Sequence, residues 1–308
     1  MRKILSVLLI GLGAFLVGIA VLGLTWVPGQ VERTPLDTDN VTSLSGDAKI
    51  LDGLGLAPTP VRAWSTNVVD TDKSDDDVAS WMTSLCLVRD EGGIDGCVDD
   101  QDPAGRLISA EVTLFATDRR TAETVPNGAY VPEGTPQLEG LQNKWPFDAE
   151  KKTYAVWDDV AGSTLDAEYQ GTEEIDGLEV YVYEYTANVG PVVLVGEFTG
   201  TYFATYTFYV EPRTGAIINQ VVHQERVADG VTPILELDLA FTDEQVEANV
   251  EDAEDARATL ELLEVTLPTV GFAVGIPLLL IGFGLTIVKR RGGGTTPASA
   301  SAREPASV

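Results

Sequence analysis

LEVYVYEY, residues 178–185, is the stretch that decides the fold class. Valine and tyrosine residues alternate in it, which is the period of two expected of a β-strand. Residues 167–171 before it are also strand-like, and Ile175-Asp176-Gly177 between the two stretches is typical of a tight turn. The sequence therefore predicts a β-hairpin here.

The same pattern recurs on both sides of this hairpin. Five more stretches are predicted strands, and residues 211–215 (EPRTG) are a predicted hairpin loop: residues 61–69, 107–117, 202–210, 216–226 and 233–241. About eight to ten short strands predict a large antiparallel sheet, curled or closed so that its edges are covered. Residues 28–60, rich in Pro, Gly, Asp and Thr, are predicted to form an exit loop. A helix over 242–265 is predicted from the capping box of Thr242 and Gln245.

Two uncharged apolar stretches flank the predicted sheet, at residues 4–27 and 267–288. Each is long enough to cross a hydrocarbon core of about 30 Å as a helix, so both are predicted transmembrane helices. A cleaved signal peptide is the alternative for the first stretch, but its length and the lack of a small-residue cleavage site disfavour it. Small residues are expected to let the two helices pack closely: Gly11, Ala14 and Gly18 in the first, Gly271 and Gly275 in the second.

Basic residues flank the outer ends of both predicted helices. Arg2 and Lys3 precede the first, and Lys289-Arg290-Arg291 follow the second. The positive-inside rule therefore predicts cytoplasmic ends at residues 1–3 and 289–308, with a disordered tail, and a domain of residues 28–266 outside a plasma membrane. The predicted fold class is α+β, mainly antiparallel β: a large curled sheet or barrel-like extracellular domain between N- and C-terminal transmembrane helices.

The outer region is strongly acidic. The whole chain has a net charge of −28, and residues 28–266 contain 14 Lys and Arg against 47 Asp and Glu, which is a net charge of −33. Such a domain repels nucleic acid and anionic head groups. The expected partners are membrane lipids around the two helices, and nucleic acid is excluded.

The only two cysteines, Cys86 and Cys97, bracket a Gly-rich segment. In an oxidising compartment two thiols at this spacing are expected to form a disulfide. A metal pair is the alternative, which the lack of nearby His or further Cys disfavours.

The sequence predicts neither an enzyme nor a cofactor. His223 is the only histidine and lies within a predicted strand, so a strand residue is favoured over a catalytic one. Neither a Gly-rich phosphate loop nor a Gly-x-Ser-x-Gly elbow is present. Carboxylates are so numerous that a glycosidase pair cannot be read from them.

Two acidic runs are candidate calcium loops. Asp70, Asp72 and Ser74 have the spacing of the first three ligands of such a loop, but Asp75 replaces its Gly and Trp81 its final Glu. A second acidic cluster lies beside the disulfide: Asp95, Asp99, Asp100 and Asp102. Solvated acidic loops are the favoured reading of both, and no metal site is assigned.

Several motifs, taken in order, resemble the actinobacterial PorA-type porin family. They are Arg33-Thr34-Pro35-Leu36-Asp37, Thr117-Asp118-Arg119-Arg120-Thr121, Lys144-Trp145-Pro146-Phe147, Lys151-Lys152-Thr153-Tyr154, Trp157-Asp158, Gly177-Leu178-Glu179-Val180-Tyr181 and Val210-Glu211-Pro212-Arg213-Thr214-Gly215. The resemblance implies a pore. The predicted strands, however, carry many acids and lack the apolar band of a transmembrane barrel, and two helices already meet the membrane.

Three functional hypotheses follow. The layout is similar to the two-span class B scavenger receptors, and this similarity implies a surface protein that binds or transfers an apolar envelope molecule such as a lipid. Five aromatic residues motivate that ligand, with core packing as the alternative: Tyr202, Phe203, Tyr206, Phe208 and Tyr209. A pore subunit and a structural or adhesive envelope protein are the other hypotheses. Ligand identity and oligomeric state stay open.

Overall fold

The computed structural model describes residues 2–52, 55–195 and 198–291, in two compact units. One unit comprises the described residues up to Val31 together with those from Leu260 onward, and the other comprises the described part of Glu32–Thr259. Each unit has its own architecture, helical in the first and mainly β in the second.

The helical unit contains two long apolar helices, α1 (Arg2–Thr25) and α4 (Leu267–Arg291), and a short helix α2 (Pro28–Val31). One turn of π-helix, Leu262–Thr266, precedes α4. Both long helices are apolar enough to cross a membrane. Their bounds agree with the predicted stretches to within two or three residues, because an uncharged apolar run of this length favours one continuous helix.

Glycines allow α1 and α4 to pack closely. A Cβ on Gly275 would lie 3.0 Å from the carbonyl oxygen of Gly13, and one on Gly271 would lie 2.8 Å from the Cβ of Ala20. The prediction for Gly271 and Gly275 is thus confirmed. The prediction for α1 is wrong, because Gly11 and Gly18 have no atom within 4 Å of a built Cβ. Which small residues of α1 face α4 depends on the rotation of the helix about its axis, and the sequence does not fix that rotation.

The β unit is one antiparallel sheet of ten strands in the order β4-β3-β2-β1-β10-β9-β8-β7-β6-β5. In chain order the strands are β1 (Asp39–Asp52), β2 (Gly55–Val69), β3 (Val78–Arg89), β4 (Leu107–Asp118), β5 (Tyr154–Asp158), β6 (Ser163–Ile175), β7 (Leu178–Val195), β8 (Phe198–Val210), β9 (Ile217–Ala228) and β10 (Thr232–Phe241). The fold class and the strand number match the prediction, and the turn at Asp176-Gly177 joins β6 to β7 as expected.

The predicted exit loop at residues 28–60 is wrong. Strand β1 and the start of β2 occupy most of it. Gly46 lies where β1 meets β10, and a Cβ there would lie 1.9 Å from the carbonyl oxygen of Asp238. Glycine and polar residues therefore serve close strand packing here, although in isolation they are typical of a loop.

The sheet curls, and β5 lies inside the curl. Tyr154 and Val156 of β5 pack with the core of β7 and β8, whereas Trp157 packs with Trp81 and Phe115 of β3 and β4. The two faces of one short strand thus contact opposite ends of the sheet, so the ten strands form a half-barrel with a filled interior.

Helix α3 (Asp243–Glu261) covers the outer face of the sheet near the β7 and β9 ends. Val246, Val250 and Ala253 pack against Leu178 and Ile218. Its predicted N-cap is confirmed, since the Thr242 hydroxyl accepts a hydrogen bond from the amide of Gln245. The acidic residues of α3 face solvent, as they would on an amphipathic surface helix.

Candidate functional site

Four segments that carry the family resemblance meet at one end of the β unit, and we call this place the motif junction. It comprises residues 32–37, 117–121, 144–149 and 211–215. Main-chain hydrogen bonds join these segments: Thr34 N to Arg119 O (2.7 Å), Phe147 N to Arg120 O (3.2 Å), Trp145 N to Gly215 O (2.9 Å) and Ala149 N to Pro212 O (2.7 Å). Segments up to about 180 residues apart in the chain are thereby held in one place.

Glu32 is the buried centre of the junction's charges, with its side chain 4% exposed. Its carboxylate forms ion pairs with Arg120 and, at 2.8 Å, with Nη2 of Arg213. Arg213 also pairs with Asp148. A carboxylate this well buried needs such partners, since an isolated charge in a protein interior is very costly.

Glu211 is a second buried carboxylate, with its side chain 1% exposed. It accepts hydrogen bonds from the amide of Arg213 (3.0 Å) and from the amide and hydroxyl of Thr214 (both 2.7 Å). Arg257 of α3 lies 3.6 Å away. These contacts fix the loop between β8 and β9, and carboxylates so fully engaged are structural groups rather than free general acids or bases.

Lys144 belongs to the same junction, with its ammonium 3.8 Å from the ring centroid of Phe147. Burial lowers the pKa of Lys144 to about 7, and the Glu211 carboxylate offsets this only in part. The ammonium therefore changes its charge near neutral pH.

Replacing Lys144 with methionine is expected to change how stability depends on pH. Above pH 7 the folded chain has lost a proton that the unfolded chain keeps up to about pH 10, so this lysine makes native stability rise with pH. Between pH 6 and pH 9 the free energy of unfolding of the native chain should rise by about 2–3 kcal/mol more than that of Lys144→Met. Urea unfolding of the full chain in detergent at both pH values measures this.

Lys152→Met is the control, because hydrogen bonding to Glu150 raises the pKa of that exposed lysine above 10.5. Its removal should leave the slope between pH 6 and 9 unchanged. Identical slopes for native chain and Lys144→Met would show that the lysine is not desolvated.

Trp145 anchors the junction to the core. It is 1% exposed and its ring stacks on Tyr183 (5.3 Å between centroids) and contacts Phe208 (4.8 Å). Gly215 has φ +74°, and a Cβ there would lie 2.1 Å from the Trp145 carbonyl oxygen. The position accordingly needs glycine for both its conformation and its space.

Asp158 forms a separate buried polar group at the end of β5. One carboxylate oxygen accepts hydrogen bonds from the amides of Val160 (3.0 Å) and Ala161 (2.8 Å), and the other from the hydroxyls of Tyr202 (2.9 Å) and Tyr185 (3.1 Å). Burial, together with the neighbouring Tyr206 and Asp158, raises the pKa of both tyrosines, so they stay protonated donors. This arrangement ties the β5–β6 turn to β7 and β8.

Two surface cavities have volumes suited to small molecules. One, of about 280 Å³, borders the motif junction and is lined partly by Glu123, Phe147 and Asp148. The other, of about 300 Å³, is mainly apolar and lies on the outer face of β3 and β4, where Met82 and Leu114 contribute to its wall.

The sulfurs of Cys86 and Cys97 are bonded, with their Cα atoms 5.9 Å apart. Ile94 within the closed loop and Cys86 belong to one small core cluster. The bridge thus fastens the loop to the outer face of β3.

In both acidic runs, side chains form hydrogen bonds or ion pairs with residues of the same loop. The Asp70 carboxylate accepts from the amide of Asp72 (3.0 Å), and the Ser74 hydroxyl donates to the Asp70 carbonyl (2.7 Å). Asp102 pairs with Arg106 at 2.7 Å, and this hydrogen bonding lowers the pKa of Asp102 to about 2. Within the described residues, no group of three or more acidic, His or Cys side chains is arranged so that it could hold a metal ion.

The five aromatic residues proposed for a ligand divide between the two sheet faces. Tyr202, Tyr206 and Phe208 face the interior and join its core clusters. Tyr209 packs towards α3, and Phe203 contacts the ring of His223. None of the five lines either cavity. The core-packing alternative accounts for Tyr202, Tyr206, Phe208 and Tyr209, which belong to core clusters.

His223 lies in β9, as predicted. Its ring contacts Asp238 across the strand pair at 2.7 Å and Glu225 at 3.3 Å. The hydrogen bond to Asp238, and to a smaller extent the one to Glu225, raises the pKa of His223.

Sequence reasoning missed the roles of Glu32, Lys144 and Asp158. Lys144 and Asp158 lie within motifs of the family resemblance, and Glu32 lies immediately before another of these motifs. The sequence feature that could have indicated these roles is a charged residue inside or beside an apolar motif. Only the partners, which come from elsewhere in the chain, show that these charges are buried.

A model of the family described as Porin PorA matches residues 5–284. The chain belongs to the Porin PorA family. The match covers both units, including the motif junction and most of the two long helices. A porin family indicates a membrane protein with a non-enzymatic role.

One curated relative is a protein named Porin PorA from Corynebacterium amycolatum. It is 29% identical over 232 residues, which cover 60% of this chain and 58% of the relative. This Porin PorA family member thus spans little more than half the length of that relative.

Proposed function

We propose that this chain is a non-catalytic, two-span protein of the plasma membrane that forms a pore as an oligomer. The observation that carries the proposal is the pair of apolar helices, packed on each other through glycines, in a chain of the Porin PorA family. The basic residues at the outer ends of the helices favour cytoplasmic termini and an outer β unit.

A conducting path is expected between copies. Within one chain the inner face of the sheet is occupied by large buried side chains, with Trp145 1% exposed and Tyr183 and Tyr202 fully buried. Two helices packed side by side leave no lumen between them. Large apolar side chains such as Phe15 and Leu280 are more than 60% exposed on the helical unit, and these surfaces suit lipid or further copies.

The pore is expected to select cations. The region between the spans carries a net charge of −33, and a field of that sign concentrates cations at a pore mouth and repels anions. Purified full-length chain in a planar bilayer should therefore give discrete conductance steps. In a tenfold KCl gradient, the reversal potential should shift from zero toward the equilibrium potential of K⁺.

Two glycine variants provide the comparison. A side chain on Gly275 would meet Val17 and Gly13, whereas Gly284 has no atom within 4 Å of a built Cβ. Gly275→Leu should reduce conductance strongly and Gly284→Leu should not. Folded, disulfide-bonded protein without conductance, or with anion selectivity, would overturn the proposal.

Binding of an apolar envelope molecule is the second candidate. The mainly apolar cavity of about 300 Å³ at Met82 and Leu114 favours it, because ligand sites are typically cavities of this size or larger. Native mass spectrometry of the full chain tests it: lipid retained in fixed stoichiometry and lost in Leu114→Asp supports binding at this cavity. A lipid-free mass after incubation with fatty acids and glycolipids would exclude it.

A further inference from the structure

Strand β4 is one edge of the sheet. The carbonyl of Ala116 accepts a hydrogen bond from Val125 on the side away from β3, and the amide of Asp118 donates to Glu123 on the same side. Backbone groups alternate sides along an antiparallel strand, so those of Ala110, Val112 and Leu114 also point away from β3. Residues 123–125 cover the edge only at its C-terminal end.

The uncovered part of this edge is exposed on both faces. Residues 109–112 are all exposed, and Val112 has 63% of its surface accessible. On the same outer face Met82, opposite Leu114, is 47% exposed. An apolar strip therefore lies beside a row of backbone groups that face no neighbouring strand within the described residues.

Native sheets usually protect such an edge with lysine, proline or a covering segment. Between residues 108 and 114 the strand contains neither lysine nor proline, and Glu111 is its only charge. The other edge strand, β5, is only five residues long and is covered. Leu141 forms backbone hydrogen bonds with Ala155 and Trp157 of β5. The open edge at β4 is thus a local feature suited to adding a strand.

We propose that β4 pairs antiparallel with β4 of a second copy about a two-fold axis at Val112. This register places Val112 opposite its counterpart, Ala110 opposite Leu114, and Glu111 opposite Thr113. It joins the backbone groups that point outward and puts no two carboxylates opposite each other. A register centred on Glu111 would also join outward-pointing backbone groups, but it would place the two Glu111 carboxylates directly opposite each other, which is destabilising.

The overall charge makes this pairing depend on salt. Two regions of net charge −33 repel each other at long range, whereas pairing at the apolar edge is short-ranged. The dimer is therefore expected to form more strongly at 0.5 M than at 0.05 M salt. This pairing rests on the proposed function, because it names one contact through which the oligomer would form. Dimer formation is measured without conductance, so the pairing and the pore are tested separately.

Thiol cross-linking of the full chain in detergent tests the pairing. The native cysteines are bonded to each other, so Val112→Cys supplies one reactive thiol. A bismaleimide with a spacer of about 8 Å should link two Val112→Cys chains into a dimer, since paired Cα atoms lie about 5.5 Å apart. Val221→Cys is the matched control: Val221 is 40% exposed on β9, which is paired on both sides. It should give less than a tenth as much dimer.

Mass measurement by light scattering gives the second readout. At 0.5 M salt the native chain and Val221→Lys should have twice the protomer mass, and Val112→Lys the protomer mass. No dimer in the native chain, or a dimer unaffected by Val112→Lys, would overturn the proposal. So would cross-linking that is equal at Val112→Cys and Val221→Cys. A dimer without conductance would leave the edge pairing standing and count against the pore.

Discussion

Glu32→Gln is expected to lower the free energy of unfolding by about 2–4 kcal/mol. The substitution keeps the shape of a side chain that is 4% exposed but removes the charge that Arg120 and Arg213 share. Removing one partner of a buried pair leaves its cations uncompensated, which typically costs about 3–5 kcal/mol. The lower figure is expected because Arg120 reaches solvent, with 54% of its side chain exposed.

An exposed ion pair supplies the control. Lys49 and Glu236 lie 2.7 Å apart, close to the 2.8 Å between Arg213 and Glu32, but their side chains are 50% and 32% exposed. Glu236→Gln should cost less than about 1 kcal/mol. Urea unfolding of the full chain in detergent measures both variants. Equal losses would show that burial adds nothing to the Glu32 contacts.

Gly215→Ala is expected to cost about 3–5 kcal/mol. The residue has φ +74°, which costs an L-residue about 1–2 kcal/mol, and its Cβ would lie 2.1 Å from the Trp145 carbonyl oxygen. Relief of that overlap moves the backbone, which breaks the hydrogen bond from Trp145 to Gly215 and displaces the buried Trp145 ring.

Gly177→Ala separates the two causes of that loss. Gly177 also has a positive φ, +90°, but nothing lies within 4 Å of a Cβ built there. Its substitution should cost only the backbone strain, about 1–2 kcal/mol. The same unfolding measurement compares the variants. A Gly215→Ala loss no larger than that of Gly177→Ala would mean that the junction yields without cost.

Both predictions concern the motif junction, and they give it a physical role. Glu32 is a buried carboxylate paired with Arg120 and Arg213, Glu211 is a second one with Arg257 3.6 Å away, and Trp145 links the junction to the core. The segments that carry the family resemblance are therefore the ones that hold one end of the half-barrel together.

Local patterns in the sequence determined much of this molecule. The uncharged runs gave the two apolar helices, because their length and lack of charge are local properties of the sequence. Alternation gave most of β2, together with β4 and β6 to β10, and the turn at Asp176-Gly177 gave the hairpin that joins β6 to β7. The N-cap at Thr242 and the pairing of the only two cysteines also depend on residues that are close in sequence.

Only the tertiary structure decided the rest. Strand β1 lacks strong local signals and is specified by its neighbours β2 and β10, as the close approach at Gly46 shows. Glu32 is buried by arginines about 90 and 180 residues away, and the faces of α1 and α4 that meet depend on helix rotation. In each case the free energy comes from contacts between distant parts of the chain, and no local pattern records which parts will meet.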